Sequence, residues 1–264
     1  MLIIDTMKTL ITFPHTHIGA FNRSYKAKIA KKEAILKIYD NKRAASFSRK
    51  FDKNHHKIVK KASETKITPN LLYLNESLII HEYLKNTPIN RKNFLKSNIL
   101  SLFKKTLENF HAIKIEKTLS LYAQIINYQS VLKNKGLFKQ VIDNAENIKK
   151  YINKYKQNYL CHGDLHFENI IHHKRKIYFI DLDYVCVSAK GYDIAMLVYQ
   201  EKISKKGIKE ISKKLQINHY EILHYIPICY LLDYLWQEIQ IEFKYIKKNN
   251  VEEKLIKNFL KNIS

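Results

Sequence analysis

Proline and glycine are scarce in this chain of 264 residues, with four and five copies, and cysteine is limited to three. With no Ser/Gly tract and no long block of like charge, collagen-like and low-complexity disordered structures are excluded. Cys161, Cys186 and Cys229 are scattered without a paired spacing, which disfavours a disulfide framework and suits a reducing, cytoplasmic setting. A zinc site built from Cys161, His162, His166, His172 and His173 lacks the second paired-ligand cluster that structural zinc needs. Long apolar runs are missing as well. Ile222–Trp236 carries His224, Pro227 and Asp233 and is too short to span a bilayer. Met1–Pro14 is interrupted by Asp5 and Lys8, with no small-residue cleavage site after it, and reads as mature protein.

Acidic residues are the other shortage: 24 Asp and Glu stand against 47 Lys and Arg, a formal charge of +23. A surface this basic attracts polyanions. The basic residues are spread along the whole chain and not gathered into one arm, so nucleic acid is not the expected partner.

What is present is a core-forming chain, 45% hydrophobic. From Ile11 to Leu84 it reads as short strands around one helix. Tyr25–Ile29 and Glu33–Tyr39 join at Ala30–Lys32, Ser46–Ser63 has the mixture of an exposed helix, and Leu71–Leu74 with Leu78–Tyr83 forms a second hairpin. Beyond Asn86 the period changes. Phe94, Leu95, Ile99, Leu102, Phe103, Leu107 and Phe110 recur at helical spacing, Leu119–Val131 repeats the pattern, and helical periodicity returns from Ile208 to the end. The polar stretch around Pro88 marks a connector, so the expected units are residues 1–86, mostly β, and residues 87–264, mostly helical with a short β-rich insert at Leu160–Val187.

That insert carries the chemistry. It runs from Tyr159 through His162, Gly163 and Asp164 to Asn169, and on to Asp181 and Asp183. With a turn at Lys174–Lys176, residues 170–173 pair with 180–177 and Asn169 faces Asp181. Neighbouring strands lie roughly 5 Å apart, so an amide oxygen and a carboxylate converge on one hard cation. Magnesium takes such oxygen ligands, one or two from protein and the rest from water and phosphate. Alternation puts Asp183 on the same face as Asp181. Gly163 allows a tight turn that aims Asp164, a proton acceptor for a hydroxyl, into the same space.

His162-Gly163-Asp164, four residues and Asn169, then Ile180-Asp181-x-Asp183 and a later Gly191-Tyr192-Asp193-Ile194-Ala195, resemble the aminoglycoside phosphotransferase and choline kinase superfamily. The resemblance implies an α+β, protein-kinase-like fold of two lobes and an ATP- and magnesium-dependent transfer of phosphate to a small-molecule alcohol. It makes Asp164 the catalytic base, Asn169 and Asp181 the magnesium ligands, and Asp183 an auxiliary metal or substrate-orienting group. His162 and Asp193 would support the catalytic loop. Gly19 to Lys26, including Asn22, looks like the hairpin that covers the phosphates, and Lys37 is similar to the lysine that holds them.

A kinase pairs that lysine with a helix glutamate. Counting back from Ile67-Thr-Pro69 puts His55 there, so Asp52 or Glu64 is expected to substitute. Glu82 to Asn86 resembles the hinge, where the backbone of Tyr83 and Leu84 would bind adenine. The segment from Cys229 to Glu238 looks like the substrate helix of choline and bacterial thiamine kinases. There Trp236, with Tyr230 or Tyr234, would face a cationic nitrogen, and Asp233 and Glu238 would recognise its charge. Choline or thiamine is the expected acceptor, an aminoglycoside the alternative, and a protein or envelope component a further one.

Overall fold

The computed structural model describes residues 11–18, 22–29, 32–46, 51–114, 118–128, 131–132 and 136–264. Five antiparallel strands open the chain: β1 (Ile11–Ile18), β2 (Asn22–Ile29), β3 (Lys32–Tyr39), β4 (Leu71–Leu74) and β5 (Leu78–Glu82), in the spatial order β1-β2-β3-β5-β4. β2 and β3 pair without a break from Asn22↔Tyr39 to Ile29↔Lys32. Alternation then sorts their side chains between two faces. Ala27, Ala34, Leu36 and Ile80 make a small cluster of their own. Tyr39 and Ile79 instead join the main core.

Two helices lie within this part, α1 (Asn41–Ser46) and α2 (Lys53–Glu64). Asp52 starts α2, its carboxylate accepting from the backbone N–H groups of Asn54 and His55. His55, Ile58, Val59, Ala62 and Ser63 form the buried stripe, the spacing of one helix face.

A connector, residues 83–90, leads to α3 (Arg91–Phe94), α4 (Ser97–His111), α5 (Leu121–Asn127), α6 (Gly136–Asp143) and α7 (Ala145–Ile152). Two short strand pairs follow: β6 (Tyr159–Cys161) pairs with β9 (Cys186–Ser188), and β7 (Ile170–His173) with β8 (Lys176–Phe179). α8 (Lys190–Glu201), α9 (Lys205–Leu215), α10 (His219–Glu242) and α11 (Glu253–Ile263) complete the helical part. The expected fold class is the one observed, a small sheet before a larger helical region of protein-kinase-like form. Among the described residues no helix is long and apolar enough to cross a membrane.

Aromatic packing fixes the β7–β8 ribbon to the helices. Phe179 lies 5.7 Å from Phe103 and 6.1 Å from Phe110 between ring centroids, and Phe94 is 5.1 Å from Phe103. Each fully buried ring stabilises the fold by about 1.5–3 kcal/mol. The ribbon is also sewn to the connector: Thr87 N–H donates to the His172 carbonyl (2.8 Å), His172 N–H to Asn86 Oδ1 (2.9 Å), and His173 Nδ1 lies 2.9 Å from the Lys85 carbonyl.

The register of this ribbon differs from expectation by one residue. Ile170 faces Phe179 and His173 faces Lys176, so the turn is only Lys174-Arg175, and Asn169 stands against Ile180, not Asp181. Both turn residues have positive φ, 45° and 61°. Such a two-residue turn matches strand twist but normally uses Asn or Gly, which is why a Lys-Arg pair concealed it.

Candidate active site

Lys37 projects from β3 toward the β8–β9 segment and holds two carboxylates at once. Its Nζ is 2.5 Å from Asp181 Oδ1 and 2.6 Å from Asp183 Oδ2. Asp183 also accepts from the Tyr39 hydroxyl (2.7 Å) and from Asn22 Nδ2 (3.0 Å). Burial and the neighbouring charge of Asp181 push the Asp183 carboxyl up to about 7. Burial opposes the Asp181 charge too, but the Lys37 ammonium prevails and holds that carboxyl below its usual range. The same two carboxylates overcome the burial of Lys37 and raise its ammonium. Asp181 sits in the left-handed region, φ 63° and ψ 59°, a strained backbone that a short polar side chain tolerates.

Asp164 follows β6 on a loop whose shape is dictated by buried groups. Gly163 has φ +80°, and a Cβ there would lie 2.1 Å from the Tyr184 carbonyl oxygen, so only glycine fits. The fully buried Asp193 carboxylate accepts from the backbone N–H groups of His162 (3.0 Å) and Gly163 (3.1 Å), and from His111 Nε2 (2.9 Å). His162 Nδ1 accepts from Asp164 N–H (3.3 Å), which leaves Nε2–H to donate to the Ile180 carbonyl (2.8 Å) beside Asp181. Burial, and the charge of Asp181, raise the Asp164 carboxyl above its ordinary value. Asn169 ends a tight turn and donates through Nδ2 to the Asp164 carbonyl (2.8 Å), so its amide oxygen is left without a partner among the described residues.

Asp164 also lines a cavity of about 420 Å³. Gln124, Tyr184, Met196, Asp233, Trp236 and Gln240 are among its other walls. Asp233 and Trp236 are thus brought to the same space as Asp164. Tyr184 stands edge-on to Trp236, ring centroids 5.7 Å apart. Asp233 accepts from the Tyr199 hydroxyl and from Gln237 Nε2 (3.0 Å).

Several expected roles are corrected. Asp52 caps α2 and Glu64 is exposed at its end, so neither partners Lys37; the carboxylates come from Asp181 and Asp183. The α2 position facing this cluster belongs to His55, whose Nε2 is 3.2 Å from the Leu182 carbonyl. Burial and then the Lys37 charge lower it to about 4, so it is a neutral prop. The Tyr83 N–H donates to the Glu33 carbonyl (2.9 Å), so of its two backbone groups the carbonyl is the one left to meet a base; Leu84 lies in the connector just beyond it. Glu238 is off the cavity, accepting from Asn249 Nδ2 (2.8 Å). Tyr230 packs on Tyr199 at 4.5 Å and Tyr234 is buried, so the aromatic beside Trp236 is Tyr184. Gly19 lies outside the described residues.

Tyr39, His111, Gln237 and Gln240 were missed. Tyr39 was legible two residues after Lys37 on the same strand face, and the glutamines at helical spacing from Asp233 and Trp236. His111 gave no signal, because its partner is 82 residues away.

Solved structures share this architecture. The choline kinase LicA from Streptococcus pneumoniae aligns with a TM-score of 0.78 at 14% identity, over 99% of this chain and 97% of its own. An ethanolamine kinase from Plasmodium vivax gives 0.69 at 17%, over 89% and 78%. A thermostable mutant of the aminoglycoside phosphotransferase APH(4)-Ia gives 0.66 at 11%, over 98% and 97%. At such identities the likeness is one of fold. No curated protein sequence matches the chain. The sequence profile of choline/ethanolamine kinases, however, matches residues 15–263, and the protein therefore belongs to that family of small-molecule phosphotransferases within the aminoglycoside phosphotransferase and choline kinase superfamily.

Proposed function

We propose that this protein transfers the γ-phosphate of ATP, with magnesium, to the hydroxyl of a small cationic alcohol such as choline or thiamine. The observation that carries the reading is that Asp164 belongs both to the charged cluster, where it feels Asp181, and to the cavity that holds Asp233 and Trp236. Similar structures were determined with AMP or with AMP-PNP and calcium, which supports a nucleotide at this end.

In this reading residues 1–86 and 87–264 are two lobes with the nucleotide between them, its adenine edge read by the connector at Leu84. Asn169 and Asp181 would hold magnesium: both offer hard oxygen, and the amide oxygen of Asn169 is free for it. The ion supplies positive charge to the phosphate oxygens as negative charge builds there. Lys37 does the same as a point charge, and Asp183, fixed by Tyr39 and Asn22, keeps Lys37 in place. Asp164 accepts the proton of the attacking hydroxyl; its raised carboxyl is a better base than an ordinary aspartate. Trp236 and Tyr184 offer ring faces to a cationic nitrogen, and Asp233 its compensating charge.

A cavity of about 420 Å³ suits a small molecule and not a folded polypeptide segment. An assay of magnesium–ATP consumption against choline, ethanolamine, thiamine and an aminoglycoside tests the reading. A phosphomonoester and ADP are expected with at least one of the cationic alcohols. Product that forms equally well without magnesium, or no binding of ATP at all, would overturn it.

A further inference from the structure

The acceptor cavity is walled by carboxamides as well as by rings. Asp233, Trp236, Gln237 and Gln240 recur three, four and seven residues on and share one face of α10. That face lines the cavity together with Gln200 from α8 and Asn250 from the loop before α11.

These polar groups are not equivalent. Gln237 is a strut: its Nε2 donates to Asp233 Oδ1 (3.0 Å) and its Oε1 accepts from Asn250 N–H (2.7 Å). Asn249 pins the same loop to α10 through the Tyr234 carbonyl (3.0 Å) and Glu238 (2.8 Å). The carboxamides of Gln240 and Asn250 make no hydrogen bond to any described residue, although the scaffold around them is fixed. A ligand that covers such a group without hydrogen-bonding to it strips its water with nothing in return. A trimethylammonium group can neither donate nor accept. An alcohol of choline's size, about seven non-hydrogen atoms, would also leave much of the space empty, since pockets of several hundred Å³ take ligands several times larger.

Resting on the phosphotransferase reading, we propose that the acceptor is a cationic alcohol with a second, hydrogen-bonding polar group beyond its charged centre. Its charge sits at Asp233 and Trp236, its reacting hydroxyl at Asp164, and its distal polar group on Gln240 and Asn250. Thiamine and amino sugars have this pattern; choline and ethanolamine do not. Gln240 and Asn250 are then the residues that set specificity.

Calorimetric titration of the full chain with choline, ethanolamine, thiamine and glucosamine reads this directly, without turnover. Thiamine or glucosamine is expected to bind at least about tenfold more tightly than choline, a tenfold ratio being well resolved by such titrations. In Gln240→Leu that advantage is expected to shrink about fivefold or more. Asn250→Ala, at an exposed position, should narrow it in the same direction and serves if Gln240→Leu does not fold. Choline binding as tightly as the larger ligands, an advantage that survives in both variants, or no binding of any of the four would overturn the proposal. A parallel titration with magnesium–ATP separates the two readings: if the nucleotide binds while the acceptor pattern fails, only the acceptor class is lost.

Discussion

The two walls that meet at Asp164 are built on different principles. On the nucleotide side, position is set by the backbone and by buried charge. Asp193 grips two main-chain N–H groups, His162 grips the Ile180 carbonyl, Gly163 admits no side chain, and Lys37 ties Asp181 to Asp183. On the cavity side, position is set by side chains spaced along one helix and held by bonds between side chains, such as Gln237 and Tyr199 to Asp233. The first wall tolerates almost no change of residue; the second can be rewritten one turn of helix at a time without moving the backbone. Rigidity fixes the geometry of the first wall, and a substitution costs least on the second.

The sharpest test of this contrast is Asp164→Asn. It keeps the shape of the shared residue and removes its basicity, so kcat should fall by about 10²–10⁴-fold with the melting temperature nearly unchanged. A fall below about tenfold in a stopped-time phosphate-transfer assay would show that proton acceptance lies elsewhere.

The second test loosens the rigid wall by pH alone. His55 is buried and neutral, with a folded value of about 4 against an unfolded 6.5. Between these values the unfolded chain takes up a proton that the folded one refuses. Its contribution is therefore complete above pH 6.5 and is lost as pH falls toward 4, amounting to at most about 3 kcal/mol. His55→Gln keeps a donor near Leu182 but cannot titrate, and should flatten the dependence of melting temperature on pH across this window. His81 and His224, which burial also lowers, add slope of the same sign, and Asp183 and Asp164, whose carboxyls are raised, add slope of the opposite sign. An identical slope in the variant would mean that His55 does not support this wall.

The smallest effect is expected on the adaptable side. Asp233→Asn removes a charge from the cavity wall yet can still meet Tyr199 and Gln237. KM for a cationic acceptor should rise about tenfold, with kcat and the KM for ATP little altered. Equal changes in both KM values would indicate that the two walls are not separable.

Much of the rigid wall was legible because its parts lie close together in sequence. His162, Gly163, Asp164, Asn169, Asp181 and Asp183 flank one ribbon, β7–β8, on its two sides, and local turn and strand rules suffice to bring them near one another. The failures came where distance or chemistry hid the signal. Lys37 lies far from its carboxylates in sequence, and the habit of looking for a helix acid drew attention to Asp52, whose short side chain is spent on capping α2. The hairpin register slipped by one because Lys174 and Arg175 are unusual residues for left-handed turns. On α10 the helical spacing was clear, but periodicity alone could not tell which stripe faces the cavity; the tyrosines beside Trp236 in sequence turned out to face Tyr199 and the core.

The seam between the connector and β7 has a mechanical consequence. With Thr87, Asn86 and Lys85 each fastened to the ribbon, the link between sheet and helices is not a free tether. A rocking of the sheet would be restrained at this seam, close to Asn169 at the foot of β7, and again where Phe179 N–H donates to the Ile67 carbonyl (2.8 Å). The restraint falls next to the very residue whose amide oxygen is open, so the ribbon and the connector move as one piece there.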